Sequence, residues 1–325
     1  MCNIHMSKLD TIEEENVKYK IADEDNAEEI DNTKIKPSIE ENRSENLTME
    51  QKINAFKIKH NPVLYILTPC FGSLCYVNYV HSLMRTTELF RKFQIPLKVE
   101  FCKNDSLVSR ARNNLIARAM TDKSATHFLF IDNDITWEPM DIMKLLLCEK
   151  ELVGGIYPLK NYDWNKLMGD PQNPYNSNVI QSMLQKKNNS QLKNMLSDSV
   201  MIQANLLKYN INYLDSVLQI DKNMARVKHL ATGFMMIHRD VLEKMMKSYP
   251  STKYVDDVNF LRPEENEHAY ALFDCGVEDG HYFSEDWLFC SRWTKLKGEI
   301  YVDVSINLCH TGIEDYKGCY VSTIM

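Results

Sequence analysis

In the stretch HFLFIDNDITW (residues 127–137), an apolar run ends directly in two aspartates, Asp132 and Asp134, which are separated by one residue. A short apolar run of this kind predicts a buried β-strand. Carboxylates are seldom buried without a partner. Either the strand ends at the surface and the two carboxylates face water, or the two carboxylates hold a cation. The sequence on either side of the stretch bears on that choice.

Strand-like and helix-like segments alternate around this stretch. The predicted strands, each short and rich in apolar β-forming residues, are 63–69, 97–102, 127–132 and 151–158. The predicted helices, which have apolar residues at helical spacing, are 76–93, 107–120 and 138–150. Alternation at this spacing predicts an α/β fold with a Rossmann-like, mostly parallel central sheet flanked by helices.

A polar segment rich in Asn, Lys and Gln, residues 165–226, interrupts the alternation and predicts an insertion in a single domain. Two readings of it stay open: a lid over a ligand site, or a plain surface insertion. The pattern returns in 226–246, which predicts two strands around a turn and then a helix. Further strands are predicted at 270–276 and 299–312, with a helix at 284–297 between them.

Charge is concentrated at the N-terminus. Residues 1–50 contain 14 acidic and 6 basic residues, a net charge of −8, while 51–325 contain 31 acidic and 32 basic residues, a net charge of +1. Because the N-terminal segment has few aromatic residues, we expect 1–58 to be an acidic, flexible tail with a helix over 47–58, and 59–325 to be the folded domain. A nearly neutral domain has no broad basic field for nucleic acid.

The composition, with 44% hydrophobic and 26% charged residues, is that of an ordinary soluble globular protein. No segment resembles a signal peptide or has the roughly 18 uninterrupted apolar residues of a membrane span. The nine cysteines are odd in number and include no CxxC pair, which favours reduced thiols over a disulfide framework. We therefore expect a cytoplasmic protein.

In sheets of the predicted kind, ligands bind beyond the carboxyl ends of the strands. Polar residues follow three of the predicted strands at that edge: Thr68 with Pro69, Asn104 with Asp105, and Asp132 with Asp134. This convergence favours a binding site over a solvated loop.

Two carboxylates offset by one residue at a strand end can both point beyond the sheet, so that one holds a metal directly and the other acts through water or a hydroxyl group. Oxygen ligands of this kind suit Mg²⁺ or Mn²⁺ carrying phosphates. His310, in CHTG (309–312), ends the last apolar strand and suits the role of third ligand beside Asp132 and Asp134. A lone histidine is, however, more often a structural residue.

Two further segments carry charged side chains. FSEDW (283–287) places Glu285 and Asp286 in the first turn of a predicted helix, where the helix dipole favours anions. The alternative is simple decoration of a helix N-terminus.

SLVSRARNN (106–114) supplies Arg110 and Arg112, whose guanidinium groups suit phosphate oxygens. We expect Arg112 and Asn113 to face inward. The alternative is a helix face exposed to solvent.

The chain contains, in this order, the motifs TPCFG, NDSLVSRARN, FLFIDNDITWEP, VGGIYP, ATGFMMIHRDVL, SEDWLFCSRW and CHTG. The ordered set resembles small glycosyltransferases of the A-type (GT-A) fold, nucleotide-sugar enzymes encoded by tailed phages and large DNA viruses. The resemblance runs from about residue 62 to about residue 318, interrupted by the insertion, and excludes the tail.

The resemblance implies a metal-dependent glycosyltransferase that moves a hexose from a UDP- or GDP-sugar to a hydroxyl group of a glycan or glycoprotein. It implies that Asp132, Asp134 and His310 hold Mn²⁺ or Mg²⁺. It also implies that Asp286, with Glu285 beside it, is the catalytic base. The residues that would border the nucleotide are Thr68, Pro69, Asn104, Asp105, Arg110, Arg112, Asn113, Asp132 and Asn133. The insertion falls where acceptor-binding segments often lie, so the acceptor stays open. A homodimer, and a location in host cytoplasm or virion, are compatible with the resemblance.

Two alternatives remain. DNDIT (132–136) also fits the DxDxT motif of haloacid-dehalogenase-type phosphatases, with Asp132 as nucleophile. That fold has the motif on its first strand and a later acidic pair, which is missing here. The other alternative is a sugar- or metal-binding protein without turnover. The joint presence of the DxD aspartates, Asp286 and His310 argues against it.

Overall fold

The structure is a computed structural model that describes residues 18–21, 47–168, 197–215, 217–278 and 280–313. Most of the predicted acidic tail lies outside the described residues, and so does the 169–196 part of the predicted insertion.

The helices and strands are numbered in chain order over the described residues. The helices are α1 (Met49–His60), α2 (Val77–Phe93), α3 (Val108–Met120), α4 (Pro139–Leu147), α5 (Asn165–Met168), α6 (Asp198–Leu206), α7 (Arg239–Ser248) and α8 (Glu285–Lys295). The strands are β1 (Lys18–Ile21), β2 (Leu64–Cys70), β3 (Leu97–Lys103), β4 (His127–Ile131), β5 (Ile135–Thr136), β6 (Leu152–Gly154), β7 (Pro158–Tyr162), β8 (Leu207–Tyr209), β9 (Ile211–Tyr213), β10 (Val217–Asp221), β11 (Met224–Leu230), β12 (Phe234–His238), β13 (Gly276–Glu278), β14 (His281–Phe283), β15 (Tyr301–Asp303) and β16 (Cys309–His310). None of the described helices is both long and apolar enough to cross a membrane.

Ten strands of the described chain form one central sheet in the order β1-β10-β11-β15-β6-β12-β4-β2-β3, with β9 also paired to β11. The parallel and antiparallel pairings show that eight of these ten strands run in one direction and that β11 and β12 run in the opposite direction. The prediction of an α/β protein with a mostly parallel central sheet flanked by helices is confirmed.

The sheet is buried on both faces because alternate residues of its central strands pack into two separate cores. In β2, Tyr65 and Leu67 pack with α3, α7 and α8, whereas Leu64 and Ile66 pack with α1, α2 and α4. A strand that is apolar at every position needs helices on both sides. The continuous apolar runs in the sequence therefore account for the three layers.

The parallel pairing of β2 with β3 and β4 sets their carboxyl ends side by side. Leu67 of β2 is in register with Phe130 of β4, and Cys70 with Lys103 of β3. Beyond β4 the chain turns into β5, which pairs antiparallel with β16 and brings Ile135 opposite His310. Residues from the last part of the chain therefore reach the edge where β4 ends.

Three predicted strands differ from the structure. The strand predicted over 151–158 ends at Gly154 as β6, and β7 begins at Pro158. The apolar run 270–276 forms one isolated bridge, between Tyr270 and Lys253, and is otherwise irregular up to Gly276, where β13 begins. Its backbone at Phe273 is hydrogen-bonded to a helix side chain, which removes the need for a neighbouring strand. The run 299–312 is divided into β15 and β16, because the carboxylate of Asp303 accepts hydrogen bonds from Ser305 and starts a turn.

The predicted insertion ends earlier than residue 226. Strands β9, β10 and the start of β11 all lie within 165–226, and all three belong to the central sheet. The predicted boundary was placed too late because it was based on polar composition. These strands contain polar residues because they lie toward one end of the sheet, where alternate positions face solvent.

The N-terminal boundary at residue 58 is also wrong. The helix predicted over 47–58 is α1, and the hydroxyl of Thr48 caps it by accepting from the N–H of Gln51. Ile53 and Phe56 are buried in the core shared with α2 and α4, so α1 is part of the folded domain. Within the tail, β1 pairs in parallel with β10.

We expect Phe56→Ala to lower the free energy of unfolding by about 3–5 kcal/mol, because it leaves a cavity where a phenyl ring is 6% exposed. Ile58→Ala, on the exposed face of the same helix (85% exposed), should change stability by less than about 0.5 kcal/mol. Urea unfolding followed by circular dichroism measures both. Equal small losses would mean that α1 does not pack on the domain.

Candidate functional site

A tight turn after β4 carries residues 132–134, called the DND segment below, at the carboxyl edge of the sheet. The N–H of Asp132 donates to the carbonyl of Gly233 at 3.1 Å, and the N–H of Ile135 donates to the carbonyl of Asp132 at 3.1 Å. The chain then enters β5. The side chains of Asp132 and Asp134 lie on this turn and have separate sets of partners.

Arg112, on α3, is buried and shared by two carboxylates. Its side chain is 4% exposed; Nη2 lies 2.9 Å from Asp132 Oδ1, and Nε lies 3.3 Å from Glu285 Oε1. Burial disfavours the charged guanidinium, but the charges of the two carboxylates outweigh it, so the pKa of Arg112 is raised above its ordinary value. The guanidinium carbon also lies 5.2 Å from the centre of the Phe130 ring. Through these two ion pairs, Arg112 links the end of β4 to the first turn of α8.

One nitrogen of this guanidinium is left over. Arg112 Nη1 is buried and has no hydrogen-bond partner within the described part of the chain. A buried donor without an acceptor costs free energy, so an oxygen that reaches it is strongly favoured. Guanidinium groups bind phosphate and carboxylate oxygens particularly well. Arg112 therefore offers an anion a free donor beside Asp132.

Asp134 lies between two basic side chains. Its Oδ2 is 2.5 Å from Lys160 Nζ and 3.4 Å from His310 Nε2. Burial by itself would raise the pKa of Asp134, but the hydrogen bonds and charges of His310 and Lys160 outweigh burial, so its pKa is lowered. Asp134 is therefore held as a carboxylate, the form that binds a metal ion.

His310 is oriented by a backbone carbonyl. Its Nδ1 lies 2.8 Å from the carbonyl oxygen of Pro158, and the edge of the Tyr157 ring packs against the imidazole at 5.2 Å between centroids. Because a carbonyl oxygen only accepts, Nδ1 carries the proton and Nε2 faces Asp134. Metal-binding histidines commonly have this arrangement, with one nitrogen donating to a carbonyl and the other free for the metal.

These residues fit a metal held by two protein ligands. Among the described residues, no group of three or more His, Cys, Asp or Glu side chains is arranged to hold a metal ion. Asp134 and His310 approach each other, whereas Asp132 is paired with Arg112. Magnesium-like cations are often bound through one or two protein groups and completed by water and substrate phosphates. The donor set therefore suits a metal that arrives with a phosphate ligand.

Asp286, in the first turn of α8, is partly buried and accepts two local hydrogen bonds on Oδ1, from the hydroxyl of Ser284 and from the N–H of Trp287 (2.9 Å). Burial raises the pKa of Asp286, and the negative charge of Glu285 adds to the rise, while the Ser284 hydrogen bond offsets part of it. Asp286 is therefore a stronger base than an ordinary aspartate, whereas its neighbour Glu285 is neutralised by Arg112.

Two residues predicted to border a nucleotide have structural partners. The hydroxyl of Thr68 is buried and lies 2.6 Å from that of Tyr79. The buried amide of Asn113 exchanges two hydrogen bonds with the backbone of Phe273, at 2.7 and 2.9 Å. These side chains hold α2 and the 270–276 segment in place and leave no exposed group for a ligand.

Asp105 and Arg110 pair with each other. Arg110 donates from Nε and Nη2 to the two carboxylate oxygens at 2.9 and 2.8 Å, and Asp105 also accepts from the N–H of Leu107. In the described part of the chain, no hydrogen bond or ion pair joins either residue to the two aspartates of the DND segment. These contacts stabilise the start of α3.

The remaining predicted nucleotide neighbours lie on the same edge of the sheet. Pro69 is half-buried at the end of β2, and Asn104 is exposed, with a left-handed backbone (φ 61°), just after β3. Asn133 donates from Nδ2 to the carbonyl of Leu74 at 2.7 Å, which ties the DND turn to the loop after β2.

Sequence reasoning missed two residues of the site. Lys160, on β7, follows the predicted strand 151–158 without a motif of its own, and Tyr157 lies within that strand, in VGGIYP, where no role was predicted for it. They reach Asp134 and His310 only because β16 pairs with β5 and packs beside β7. Burial, with the charge of Asp132 adding to it, raises the pKa of the Tyr157 hydroxyl above its ordinary value. Local sequence held no signal for either residue.

Lys160 and His310 also line a cavity of about 1010 Å³. It is mostly apolar, and its walls include Trp164, Tyr209 and Leu308. Asp132, Asp134 and Asp286 are not among its lining residues.

No family model matches the chain, and no curated protein sequence matches it. Among solved structures, the chain is similar to one described as the crystal structure of A197 from STIV. The two share 14% sequence identity, with a TM-score of 0.40, over 77% of this chain and 86% of that chain. A likeness this distant says nothing about the site.

We expect Arg112→Ala to lower the free energy of unfolding by about 3–5 kcal/mol, because it leaves Asp132 and Glu285 without their shared buried cation. Arg85→Ala is the matched control. Arg85 pairs with Glu138 at 2.5 Å, but both side chains are more than half exposed, so its loss should change stability little. Urea unfolding of both variants tests the difference. If Arg112→Ala is as stable as Arg85→Ala, the buried ion pairs do not hold β4 and α8 together.

Proposed function

We propose that the chain is a metal-dependent glycosyltransferase with a single A-type catalytic domain. It would move a hexose from a UDP- or GDP-sugar to a hydroxyl group of a glycan or glycoprotein. One observation carries the proposal: acidic, basic and imidazole groups from four distant stretches, at 112, 132–134, 285–286 and 310, meet at the carboxyl edge of a mostly parallel sheet. Such an edge is where α/β proteins bind nucleotides.

Asp134 and His310 are the residues that would hold Mn²⁺ or Mg²⁺. The lowered pKa of Asp134 keeps its carboxylate charged, and the hydrogen bond to the Pro158 carbonyl orients the imidazole so that Nε2 of His310 faces Asp134. When bound, the metal supplies positive charge that offsets the charge developing on the departing diphosphate. Asp132, the first aspartate of the motif, is held by Arg112 and would act through water or a sugar hydroxyl.

Two cationic side chains are placed to bind the diphosphate. Arg112 has an unpaired, buried Nη1, and a phosphate oxygen that accepts from it removes the cost of that unpaired donor. Lys160, which is 38% exposed, can exchange its ion pair with Asp134 for one with a phosphate oxygen. Both would stabilise the leaving group more as its charge grows.

Asp286 is the group best suited to take the proton of the acceptor hydroxyl. Its raised pKa makes it a stronger base than an ordinary aspartate, and Glu285 is occupied by Arg112. An inverting transfer needs only this base, the metal and the cationic side chains. A retaining transfer needs a further nucleophile or a front-face route.

Asp134→Ala should abolish the stabilisation that Mn²⁺ and a nucleoside diphosphate give together. A ligand at about 100 times its Kd stabilises by about 2.7 kcal/mol, which for a chain of this size raises Tm by about 4–5 °C. Thermal shift with UDP and GDP, with and without Mn²⁺, measures the effect. His310→Ala should weaken the response less severely.

Asp122→Ala is the control for Asp134→Ala. Asp122 also pairs with a lysine, Lys98 at 2.6 Å, but it precedes β4 and so lies at the opposite edge of the sheet. The nucleotide response of this variant should equal that of wild type. An unchanged response in Asp134→Ala would refute the metal site.

Asp286→Asn keeps the shape and hydrogen-bonding capacity of the side chain but removes its basicity. We expect turnover of sugar transfer to fall by about 10²–10⁴-fold, the usual contribution of a general base, while the response to Mn²⁺ and nucleotide survives. Glu285→Gln should reduce turnover less. A panel of UDP- and GDP-sugars with Mn²⁺, assayed for released nucleoside diphosphate, provides the activity. Transfer at near wild-type rate, or loss of donor binding, would rule out the base role of Asp286.

A further inference from the structure

Two cysteine thiols lie in contact at the end of β2. Cys70 Sγ and Cys75 Sγ are 3.4 Å apart; Cys70 is buried, and Cys75 is partly exposed. The structure describes seven cysteines, and this is the one pair among them with such a contact. A disulfide requires the two sulfurs at about 2.0 Å, so closing this bond needs a movement of little more than one ångström shared between two side chains.

The chain between the two cysteines is a tight reversal. Residues Phe71–Ser73 form a single 3-10 turn in which Gly72 and Ser73 have left-handed backbones, with φ of 68° and 59°. The turn brings Cys75 back beside the strand end that carries Cys70. The proximity of the two thiols therefore follows from the path of the loop between them.

The same loop is bonded to the DND turn. Asn133 donates from Nδ2 to the carbonyl of Leu74 at 2.7 Å, and the N–H of Tyr76 donates to the carbonyl of Asn133 at 3.1 Å. Both partners of Asn133 lie next to Cys75 in sequence. A covalent link across the loop would thus act directly on the residue between the two aspartates.

We propose that Cys70 and Cys75 form a redox modification site that closes to an intramolecular disulfide on reaction with a small disulfide such as oxidised glutathione. The proposal rests on the thiol contact and the loop, and not on the glycosyltransferase reading. In the first step, the partly exposed Cys75 attacks oxidised glutathione as its thiolate, forming a mixed disulfide and releasing one glutathione thiolate.

In the second step, Cys70 loses its proton to solvent and attacks Cys75 Sγ, which releases the second glutathione thiolate. Two protein thiols are oxidised and one molecule of oxidised glutathione is reduced to two thiols. Burial, with the neighbouring Cys75 adding to it, raises the pKa of Cys70. Cys70 is accordingly the resolving thiol and Cys75 the attacking one, since the thiolate is the nucleophile.

The sequence permits a direct test on the full chain. Trypsin cleaves after Lys59 and Arg85, so both thiols fall in one peptide, residues 60–85, which contains no other cysteine. Reduced protein is incubated with oxidised glutathione, denatured, treated with iodoacetamide and digested. We expect peptide 60–85 to lose both alkyl groups and to appear about 2 Da lighter than the dithiol form, with recovery of both groups after dithiothreitol.

Three variants assign the roles. Cys70→Ser should accumulate a glutathione adduct on Cys75, because the resolving thiol is missing, whereas Cys75→Ser should give neither bridge nor adduct in this peptide. Cys148→Ser is the control and should form the bridge as wild type does. The wild-type result alone can overturn the proposal: two alkylated thiols, a persistent glutathione adduct, or a bridge to another cysteine would each do so.

Discussion

A guanidinium group inside the protein is the constraint on which the candidate site depends. Arg112 is 4% exposed and cannot lose its charge, so it must be neutralised where it lies. Its two partners, Asp132 and Glu285, come from a strand end and a helix start that are more than 150 residues apart. Moving either element leaves a buried charge unpaired. The electrostatics of one residue therefore specify how β4, α3 and α8 meet.

The two aspartates of the DND segment differ in how easily their contacts can be exchanged. Asp132 is held by an arginine that is almost fully buried, whereas Asp134 is held by a lysine that is 38% exposed and by a histidine. Replacing the lysine contact of Asp134 by water costs little free energy because the lysine is partly exposed. Losing the arginine contact of Asp132 costs more because it leaves a buried charge unpaired. A site for a charged ligand needs both: a frame that stays in place and contacts that can be exchanged when the ligand binds.

Much of the fold followed from short apolar runs, because β2 and β4 are apolar at nearly every position and β3, at the end of the sheet, alternates apolar with charged residues. The runs at 63–69, 97–102 and 127–132 correspond to β2, β3 and β4, with no end displaced by more than one residue. The run at 270–276 is equally apolar, yet its backbone is hydrogen-bonded to the side chain of Asn113. Apolar content marks burial, and a buried segment becomes a strand only where another strand can pair with it.

The sequence by itself determined the α/β class, the position of the DND segment at a strand end, and the charged residues at 112, 285–286 and 310, since each depends on local spacing. Only the tertiary structure decided their partners. In the folded protein Arg112 pairs with Asp132 and Glu285, and Lys160 pairs with Asp134. Thr68 and Asn113 make buried hydrogen bonds that are structural. The reason is physical: which charges neutralise one another depends on distances of a few ångströms between elements far apart in the chain, and no local pattern encodes those distances.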